Sequence, residues 1–258
     1  MVLDAILAQK ALEIAALAML GAPGGLGLTP RGALVRERLR RSGPLRLITE
    51  IKLRSPSAGA LSTALGVAER ARVYARGGAA MLSVLCDERF FGGGWDDVTK
   101  ARRALDEAGL AVPILAKEFV LDERQIDEAA ARGADAVLLI ARIVAPDRLA
   151  TLHAHAIARG LQPLVEVVTD EELVAAGDAH VLGVNARDLD TLKIDAARAA
   201  RVLAAIGKDR IALHLSGLKN GADVATVARS GVDGALVGEA LMRLDDPSRL
   251  LAELIAAT

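Results

Sequence analysis

The sequence predicts an α/β protein, a closed (β/α)8 TIM barrel with an N-terminal helical extension, and three observations predict it. The chain has 258 residues, a length typical of one such barrel. Apolar runs of strand length alternate with helical segments, and eight of these runs occur along the chain. Three segments also repeat one pattern, in which a helix ends in Ala-Arg, a glycine follows, and an apolar strand begins. They are ARGGAAMLSVL from Ala75, ARGADAVLLIA from Ala131 and ARSGVDGALVG from Ala228.

Residues 1–45 precede the first strand candidate and predict one or two helices, separated by GAPGGLGLTPRG. Asp4, Lys10 and Glu13 interrupt the first apolar run at helical spacing, which indicates an amphipathic helix of a soluble protein and not a secretion signal. The glycines of the separating segment follow a helix and not a strand, so they indicate a loop and not a dinucleotide-binding turn. Residues 46–258 are predicted to form the barrel, and no second domain is expected.

The eight strand candidates are short and almost continuously apolar, as parallel strands covered on both faces should be. They cover residues 46–52, 79–86, 112–119, 134–141, 162–167, 181–187, 211–217 and 234–240. Helix signals lie between them, including an acidic start at Asp122 and a proline start at Pro146. An open doubly wound sheet is the alternative, and the count of eight alternating units favours the closed barrel.

Composition and charge exclude several classes of protein. Lys and Arg number 32 against 33 Asp and Glu, so no basic excess indicates a nucleic-acid partner. No apolar run is long enough to span a membrane. The one cysteine, Cys86, cannot form an internal disulfide and fits a reducing, cytoplasmic compartment. We expect a monomer or weak homo-oligomer with a small-molecule partner.

Polar side chains recur near the carboxyl ends of the strand candidates, which meet at one mouth in a TIM barrel and carry its active site. Glu50 and Lys52 are two residues apart and so share a face of their strand, and the same holds for Asn185 and Arg187. The other members of this set are Lys117, Glu166 and Ser216. Such a mixture of cations and carboxylates suits an anionic substrate and acid–base chemistry.

The loops after the seventh and eighth strands of TIM barrels often bind phosphate. Gly217 and Gly238 occupy these loops, and glycine lets backbone N–H groups approach an anion. Lys52 is placed to assist, and the side chain of Glu239 is expected to point away. We further expect the pKa of Lys117 to be lowered by nearby cations and desolvation, so that it donates a proton near neutrality.

These motifs together resemble the indole-3-glycerol-phosphate synthase family. The resemblance runs in order from ILAQKALEIA in the extension through EIKLRSPSAG, SVLCDERFFGG, ILAKEFVLDERQIDEAAARGADAVLLIA, LVEV, GVNARDLDTLKID, SGL and LVGEALM. It implies a (β/α)8 barrel that needs no metal or organic cofactor. The implied reaction converts 1-(2-carboxyphenylamino)-1-deoxyribulose 5-phosphate to indole-3-glycerol phosphate in tryptophan biosynthesis, with loss of carbon dioxide and water.

The resemblance also implies catalytic roles. Lys117 is the general acid that protonates the ketone-derived oxygen of the substrate as the ring closes. Glu50 and Glu166 handle protons during ring closure and dehydration. Lys52 steadies the carboxylate or the phosphate and assists the dehydration.

Binding roles are implied for the remaining positions. Asn185 and Arg187 orient the sugar chain and the carboxylate. The substrate is implied to be positioned by Ser55, Pro56 and Ser216. An aromatic pocket is implied to be lined by Phe91 and Phe119. The phosphate is implied to bind at Gly217, Gly238 and the backbone of Glu239.

The sequence departs from the family pattern at several positions. Glu118 and Ala186 stand where Asp and Asn or Ser are usual, and Cys86 replaces a usual Thr. Leu215 stands where the family usually has an acidic residue, which leaves open a paralogue with a modified substrate. His214 and Cys86 are interpreted as buried core residues.

Two other functions stay open on the sequence. A phosphosugar isomerase or aldolase of the barrel class is one, and an aldolase would use Lys117 as a Schiff-base nucleophile. An inactive phospholigand-binding barrel is the other, and Leu215 is the feature that points to it.

Overall fold

The computed structural model describes residues 2–20, 26–56, 59–188 and 191–258. Eight parallel strands close into a barrel in which each strand pairs with its neighbours in chain order and the eighth pairs with the first. The strands are β1 Arg46–Ile51, β2 Met81–Leu85, β3 Ile114–Lys117, β4 Ala136–Ile140, β5 Gln162–Val167, β6 Val181–Asn185, β7 Ile211–Leu215 and β8 Gly234–Val237. The predicted (β/α)8 barrel is confirmed, as are all eight strand positions.

Helices precede and connect these strands. They are α1 Val2–Leu20, α2 Gly32–Leu39, α3 Val67–Arg76, α4 Glu88–Phe91, α5 Trp95–Glu107, α6 Glu123–Ala131, α7 Pro146–Ala158, α8 Asp170–Ala175, α9 Ala196–Ala204, α10 Gly221–Arg229, α11 Glu239–Met242 and α12 Ser248–Ala256. A 3-10 turn at Ala141–Ile143 and a short hairpin pairing Arg54–Ser55 with Gly59–Ala60 complete the elements. The extension therefore forms two helices, and residues 21–25 of its predicted loop lie outside the described residues.

Local chemistry explains where the helices begin and end. Asp122 caps α6 by accepting from the Arg124 amide, and the Gln125 side chain closes a capping box with the Asp122 amide. Glycines of the three repeated segments, Gly78, Gly133 and Gly231, have φ of 97°, 89° and 81°. These are left-handed conformations that glycine adopts without steric cost. At each of the three glycines the chain can therefore turn sharply from helix to strand.

Alternation along the strands separates two apolar layers. One face of each strand points into the barrel, where Ile48, Met81, Leu115, Leu164 and Leu213 form an interior core. The other face packs against the surrounding helices in a larger cluster. Because inward positions alternate with outward ones, Glu50, Lys117 and Glu166 point inward above this interior core.

The two extension helices lie at opposite ends of the barrel. Helix α2 covers the amino ends of the strands, where the amide of Gly32 donates to the carbonyl of Gly160 over 3.1 Å. Val35 and Leu39 of α2 join the interior core. Helix α1 instead lies beside the carboxyl ends of β2 and β3, and it borders the cavity described below.

The described part of the chain contains no helix both long enough and apolar enough to span a bilayer.

Candidate active site

A cavity of about 650 Å³ opens at the carboxyl ends of the barrel strands. The fourteen residues that the sequence predicts for the site all border this cavity, although they come from seven of the eight strands or the loops that follow them. They are Glu50, Lys52, Ser55, Pro56, Phe91, Lys117, Phe119, Glu166, Asn185, Arg187, Ser216, Gly217, Gly238 and Glu239. The convergence follows from the closed parallel topology, which brings all eight strand ends to one mouth.

Glu50 joins two lysines at the centre of the cavity. Its Oε1 accepts from Lys52 Nζ over 2.5 Å, and its Oε2 accepts from Lys117 Nζ over 3.0 Å. The carboxylate is 2% exposed, so these charge-assisted bonds form largely out of water. Two ammonium groups from different strands are thereby fixed on one carboxylate.

The electrostatics of this group correct one expectation from the sequence. Burial acts to lower the pKa of Lys117, but the carboxylates of Glu50 and Glu166 outweigh it, and the pKa is raised. The expected lowering is wrong for this structure, because the nearest charges to the Lys117 ammonium are anions. Lys117 therefore carries its proton at neutral pH.

The pKa of Glu50 is shifted in the opposite direction, below its ordinary value. Burial would raise the pKa of this carboxyl, but the ammonium groups of Lys117 and Lys52 lower it to about 2. Glu50 is ionised at neutral pH and acts in this state as a hydrogen-bond acceptor.

This shift predicts acid sensitivity of the fold. Since the folded-state pKa of Glu50 is depressed from 4.5 to about 2, its contribution to stability is present above pH 4.5 and is lost as the pH falls towards 2. The shift corresponds to roughly 3 kcal/mol. Urea unfolding at pH 6 and pH 3 should show a larger loss in the wild-type protein than in Glu50→Gln.

Glu69→Gln is the matched control for that measurement, because the Glu69 carboxylate is 52% exposed in its ion pair with Arg72. Its acid sensitivity should equal that of the wild type. Equal losses in wild type and Glu50→Gln would contradict the prediction.

A second polar chain runs along β5 and β6. Glu166 Oε1 accepts from Asn185 Nδ2 over 2.8 Å, and Asn185 Oδ1 accepts from the amide of Arg187 over 3.0 Å. Burial raises the pKa of Glu166, against the opposing effects of Lys117 and Asn185. Glu166 consequently holds a proton more readily than an ordinary carboxyl and is suited to proton exchange. The Arg187 guanidinium donates to the carbonyl of Leu192 over 2.9 Å, which ties down the loop after β6.

One side of the cavity is apolar and aromatic. The rings of Phe91 and Phe119 lie 6.0 Å apart between centroids at an interplanar angle of 33°. Helix α1 completes this wall with Val2, Leu3 and Ile6. Such a surface fits the flat face of an aromatic ligand.

The opposite side carries the two predicted phosphate loops. Ser216 and Gly217 have φ of 70° and 90°, which turns the chain sharply after β7. Gly238 lies so close to β1 that a β-carbon there would stand 2.4 Å from Glu50 Oε1. The Glu239 carboxylate accepts from Arg243 Nη2 over 2.8 Å, so it is held by its own helical turn.

Leu215 and Cys86, which depart from the family pattern, lie in core positions, whereas Glu118 borders the cavity. The side chain of Leu215 is 1% exposed and packs inside the barrel, where it fills the space beside Gly183. Leu215 does not border the cavity. His214 is buried on the outward face, with Nε2 3.1 Å from the carbonyl oxygen of Ser216. Cys86 is buried, and burial raises the pKa of its thiol.

Several cavity residues were missed by the sequence reasoning. Leu138 and Ile140 add to the apolar wall, and Lys219 and Arg243 border the phosphate side. Leu138 and Ile140 sit on the same strand face by alternation, which was an available signal. Across the described ranges, no three His, Cys, Asp or Glu side chains are grouped to hold a metal ion.

Comparison with known proteins gives consistent matches. The sequence profile of the family described as indole-3-glycerol phosphate synthase matches residues 3–254. An indole-3-glycerol phosphate synthase of Kineococcus radiotolerans is 42% identical over 87% of this chain and 81% of its own length. A protein named indole-3-glycerol phosphate synthase 2 from Streptomyces coelicolor is 44% identical over 84% of this chain and 83% of its own.

Solved structures with other names share the fold at low sequence identity. The tryptophan synthase alpha subunit of Legionella pneumophila superposes with a TM-score of 0.63 at 15% identity, covering 87% of this chain and 97% of that one. A 3-hexulose-6-phosphate synthase gives a TM-score of 0.62 at 21% identity, over 83% and 99% of the two chains. These likenesses show the barrel fold alone.

Proposed function

The chain belongs to the indole-3-glycerol phosphate synthase family, and from that premise we propose how its cavity performs the family's reaction. The substrate is 1-(2-carboxyphenylamino)-1-deoxyribulose 5-phosphate, and the product is indole-3-glycerol phosphate. One observation carries the proposal: the Lys117 ammonium is hydrogen-bonded to Glu50 over 3.0 Å within a cavity that is aromatic on one side and lined with phosphate-type loops on the other.

The two sides of the cavity set the direction in which the substrate lies. The carboxyphenyl ring binds against Phe91 and Phe119, whose rings offer an apolar surface of matching shape. The phosphate binds at the backbone of Gly217, Gly238 and Glu239, where glycine allows close approach. The Glu239 carboxylate stays paired with Arg243, so only its backbone N–H faces the anion.

The remaining polar residues position the middle of the substrate. Lys52 borders the phosphate side, because its partner Glu50 Oε1 lies directly against Gly238. Asn185 and Arg187 hold the sugar hydroxyls and the ring carboxylate from the β6 side. The cavity is closed around the sugar chain of the substrate by Ser55, Pro56 and Ser216. Fixing both ends of the substrate brings the ring carbon that bears the carboxylate close to the ketone carbon.

Ring closure follows from this placement. The ring carbon attacks the ketone carbon, and the ketone oxygen takes the proton from Lys117 Nζ as the new bond forms. The proton is available because the raised pKa of Lys117 keeps it charged. The ammonium also stabilises the negative charge that develops on the oxygen before transfer is complete.

Loss of carbon dioxide and water completes the reaction. The carbon–carboxylate bond breaks, and its electron pair restores the aromatic ring. The hydroxyl formed in the first step leaves as water after taking a proton from an ammonium group, for which Lys52 is placed. The adjacent methylene carbon gives up a proton to a carboxylate, and the acceptor is Glu166, whose pKa is raised by burial, whereas Glu50 stays ionised between the two lysines. The two ammonium groups give up two protons and the carboxylate receives one, so each turnover takes up one proton from water and the protein then returns to its starting charge.

The protonation state of Lys117 argues against the aldolase alternative. A Schiff base needs a neutral amine, whereas the carboxylates around Lys117 hold it as the ammonium. Trapping with borohydride in the presence of substrate should therefore give no adduct.

The direct test is to incubate the purified protein with the carboxyphenylamino-deoxyribulose phosphate and to follow the fluorescence of the indole product. We expect formation of indole-3-glycerol phosphate with release of one carbon dioxide per turnover. Tight binding of the substrate without product would identify an inactive binding protein and would refute the proposal.

A further inference from the structure

The largely apolar helix α1 carries one fully buried cation that the proposed chemistry does not use. The Lys10 side chain is 0% exposed, and its Nζ lies 2.8 Å from Asp87 Oδ2 and 3.0 Å from Glu118 Oε1. A third carboxylate, Glu13 on the same helix, is 2.7 Å away. Burial acts to lower the pKa of Lys10, but these carboxylates raise it, so the group stays charged.

Both barrel partners of Lys10 hold the segments that carry the aromatic wall. Asp87 follows β2 and caps α4, since its Oδ1 accepts from the amides of Phe90 over 2.6 Å and Phe91 over 3.1 Å. Helix α4 ends at Phe91, whose ring borders the cavity. The position of this ring therefore depends on the orientation of the Asp87 carboxylate.

Glu118 plays the same part on the neighbouring strand. It lies between Lys117 and Phe119, and its Oε1 accepts from the amide of Phe119 over 2.7 Å. The same oxygen receives the Lys10 ammonium. One buried cation thus binds α1 to the two segments that place the rings of Phe91 and Phe119 beside each other.

We propose that Lys10 is a positioning residue for the reaction: it latches α1 onto Asp87 and Glu118, and so sets the shape of the cavity at the end that receives the carboxyphenyl ring. The substrate identity in this statement rests on the proposed function. The latch also explains why Val2, Leu3 and Ile6 of the extension reach the cavity, because the ion pairs hold their helix against the strand ends. Lys10 acts through Phe91 and Phe119 and contacts no reacting atom.

The expected consequence is a change in binding and not in the chemical step. Replacing Lys10 by methionine keeps a side chain about as long as the lysine stem but removes the charge that joins the three elements. KM should rise about tenfold, because a small misplacement of binding groups costs up to about 10²-fold, while kcat changes by less than about threefold. The reduced analogue 1-(2-carboxyphenylamino)-1-deoxyribitol 5-phosphate should lose affinity by the same factor, and the affinity for inorganic phosphate should stay unchanged.

Removing the Lys10 ammonium alone leaves buried carboxylates without a cation, which destabilises the fold. At pH 8, above the value of about 7 to which burial raises the pKa of Glu118, Lys10→Met combined with Glu118→Gln removes one of those charges together with the ammonium, and the glutamine oxygen still accepts from the Phe119 amide. Lys10→Arg keeps the charge and should recover most of the wild-type KM. Lys100→Met is the matched control, since Lys100 makes an ion pair of 2.7 Å with Asp97 but is 58% exposed away from the cavity.

Amide hydrogen exchange gives a readout that does not depend on turnover. The Phe90 and Phe91 amides should exchange faster in the Lys10→Met variants and at the wild-type rate in Lys100→Met. If the wild-type protein forms no product but the Phe90 and Phe91 amides exchange faster in the Lys10→Met variants, the proposed function fails and the positioning role of Lys10 stands. A folded Lys10→Met/Glu118→Gln protein with unchanged KM and unchanged exchange would overturn the latch, as would equal losses of affinity for the analogue and for inorganic phosphate.

Discussion

Replacing Lys117 by methionine is expected to lower kcat by about 10³-fold or more while leaving the barrel folded, since a general acid contributes typically 10²–10⁴-fold and its charge stabilises the developing oxyanion as well. Methionine has a similar length and no charge, so it fills the place of the lysine stem. Glu50 keeps its bond to Lys52 over 2.5 Å in this variant and is not left without a cation. The fold should survive for that reason.

The measurement is the rate of indole fluorescence at saturating substrate, together with a thermal unfolding curve and the affinity for the reduced analogue. We expect kcat to collapse while the affinity changes by less than about tenfold, because the main binding surfaces lie at the two ends of the cavity. Lys100→Met should behave as the wild type in all three measurements. A Lys117→Met protein that retains a tenth of the wild-type rate would remove Lys117 from the role of general acid.

The strands and their convergence could be predicted from the sequence because both depend on local patterns. Apolar runs such as 134–141 show where strands lie, and parallel closure then dictates that Glu50, Lys117 and Glu166 meet at one mouth. Strand ends were less well placed. The runs at 181–187 and 211–217 leave the barrel ladder at Asn185 and Leu215, where side-chain hydrogen bonds and the positive φ of Ser216 take over from strand pairing.

The electrostatics of the site could not be predicted, because they depend on side-chain directions across strands. The sequence places Lys52 and Lys117 at the same mouth, and two neighbouring cations would lower each other's pKa. In the structure the Glu50 carboxylate lies between the two lysines, and it makes the pKa shift of Lys117 upward instead of downward. Only three-dimensional placement shows which charge is nearest.

The role of the extension was also hidden in the sequence. In the sequence Lys10 indicates only a break in an apolar run, whereas in the structure it is fully buried, as lysine seldom is unless it is paired. Its partners Asp87 and Glu118 stand far along the chain, and nothing local connects them to α1. Leu215 illustrates the opposite case, in which a departure from the family pattern is explained by packing against Gly183 in the barrel interior.

Replacing Gly238 by alanine is expected to lower kcat/KM by about 10²-fold, since a displacement of catalytic groups by roughly 1 Å has that effect. The added β-carbon would stand 2.4 Å from Glu50 Oε1 and 2.9 Å from Glu50 Cβ, which is closer than such atoms approach. Strands β1 and β8 are hydrogen-bonded neighbours, with Thr49 opposite Val237, so the backbone of Glu50 cannot move away. The carboxylate must therefore rotate out of its position between the two lysines.

Gly94→Ala provides the matched comparison, because Gly94 also precedes a helix, has an extended backbone with φ of −173°, and has open space where the β-carbon would stand. Its kcat/KM should equal that of the wild type. The Gly238→Ala protein should also bind inorganic phosphate more weakly, since the crowded carboxylate lies against the loop that receives the anion. Wild-type activity in Gly238→Ala would mean that Glu50 acts from another position, and the ion-pair geometry around Lys117 would then not be the arrangement that carries the reaction.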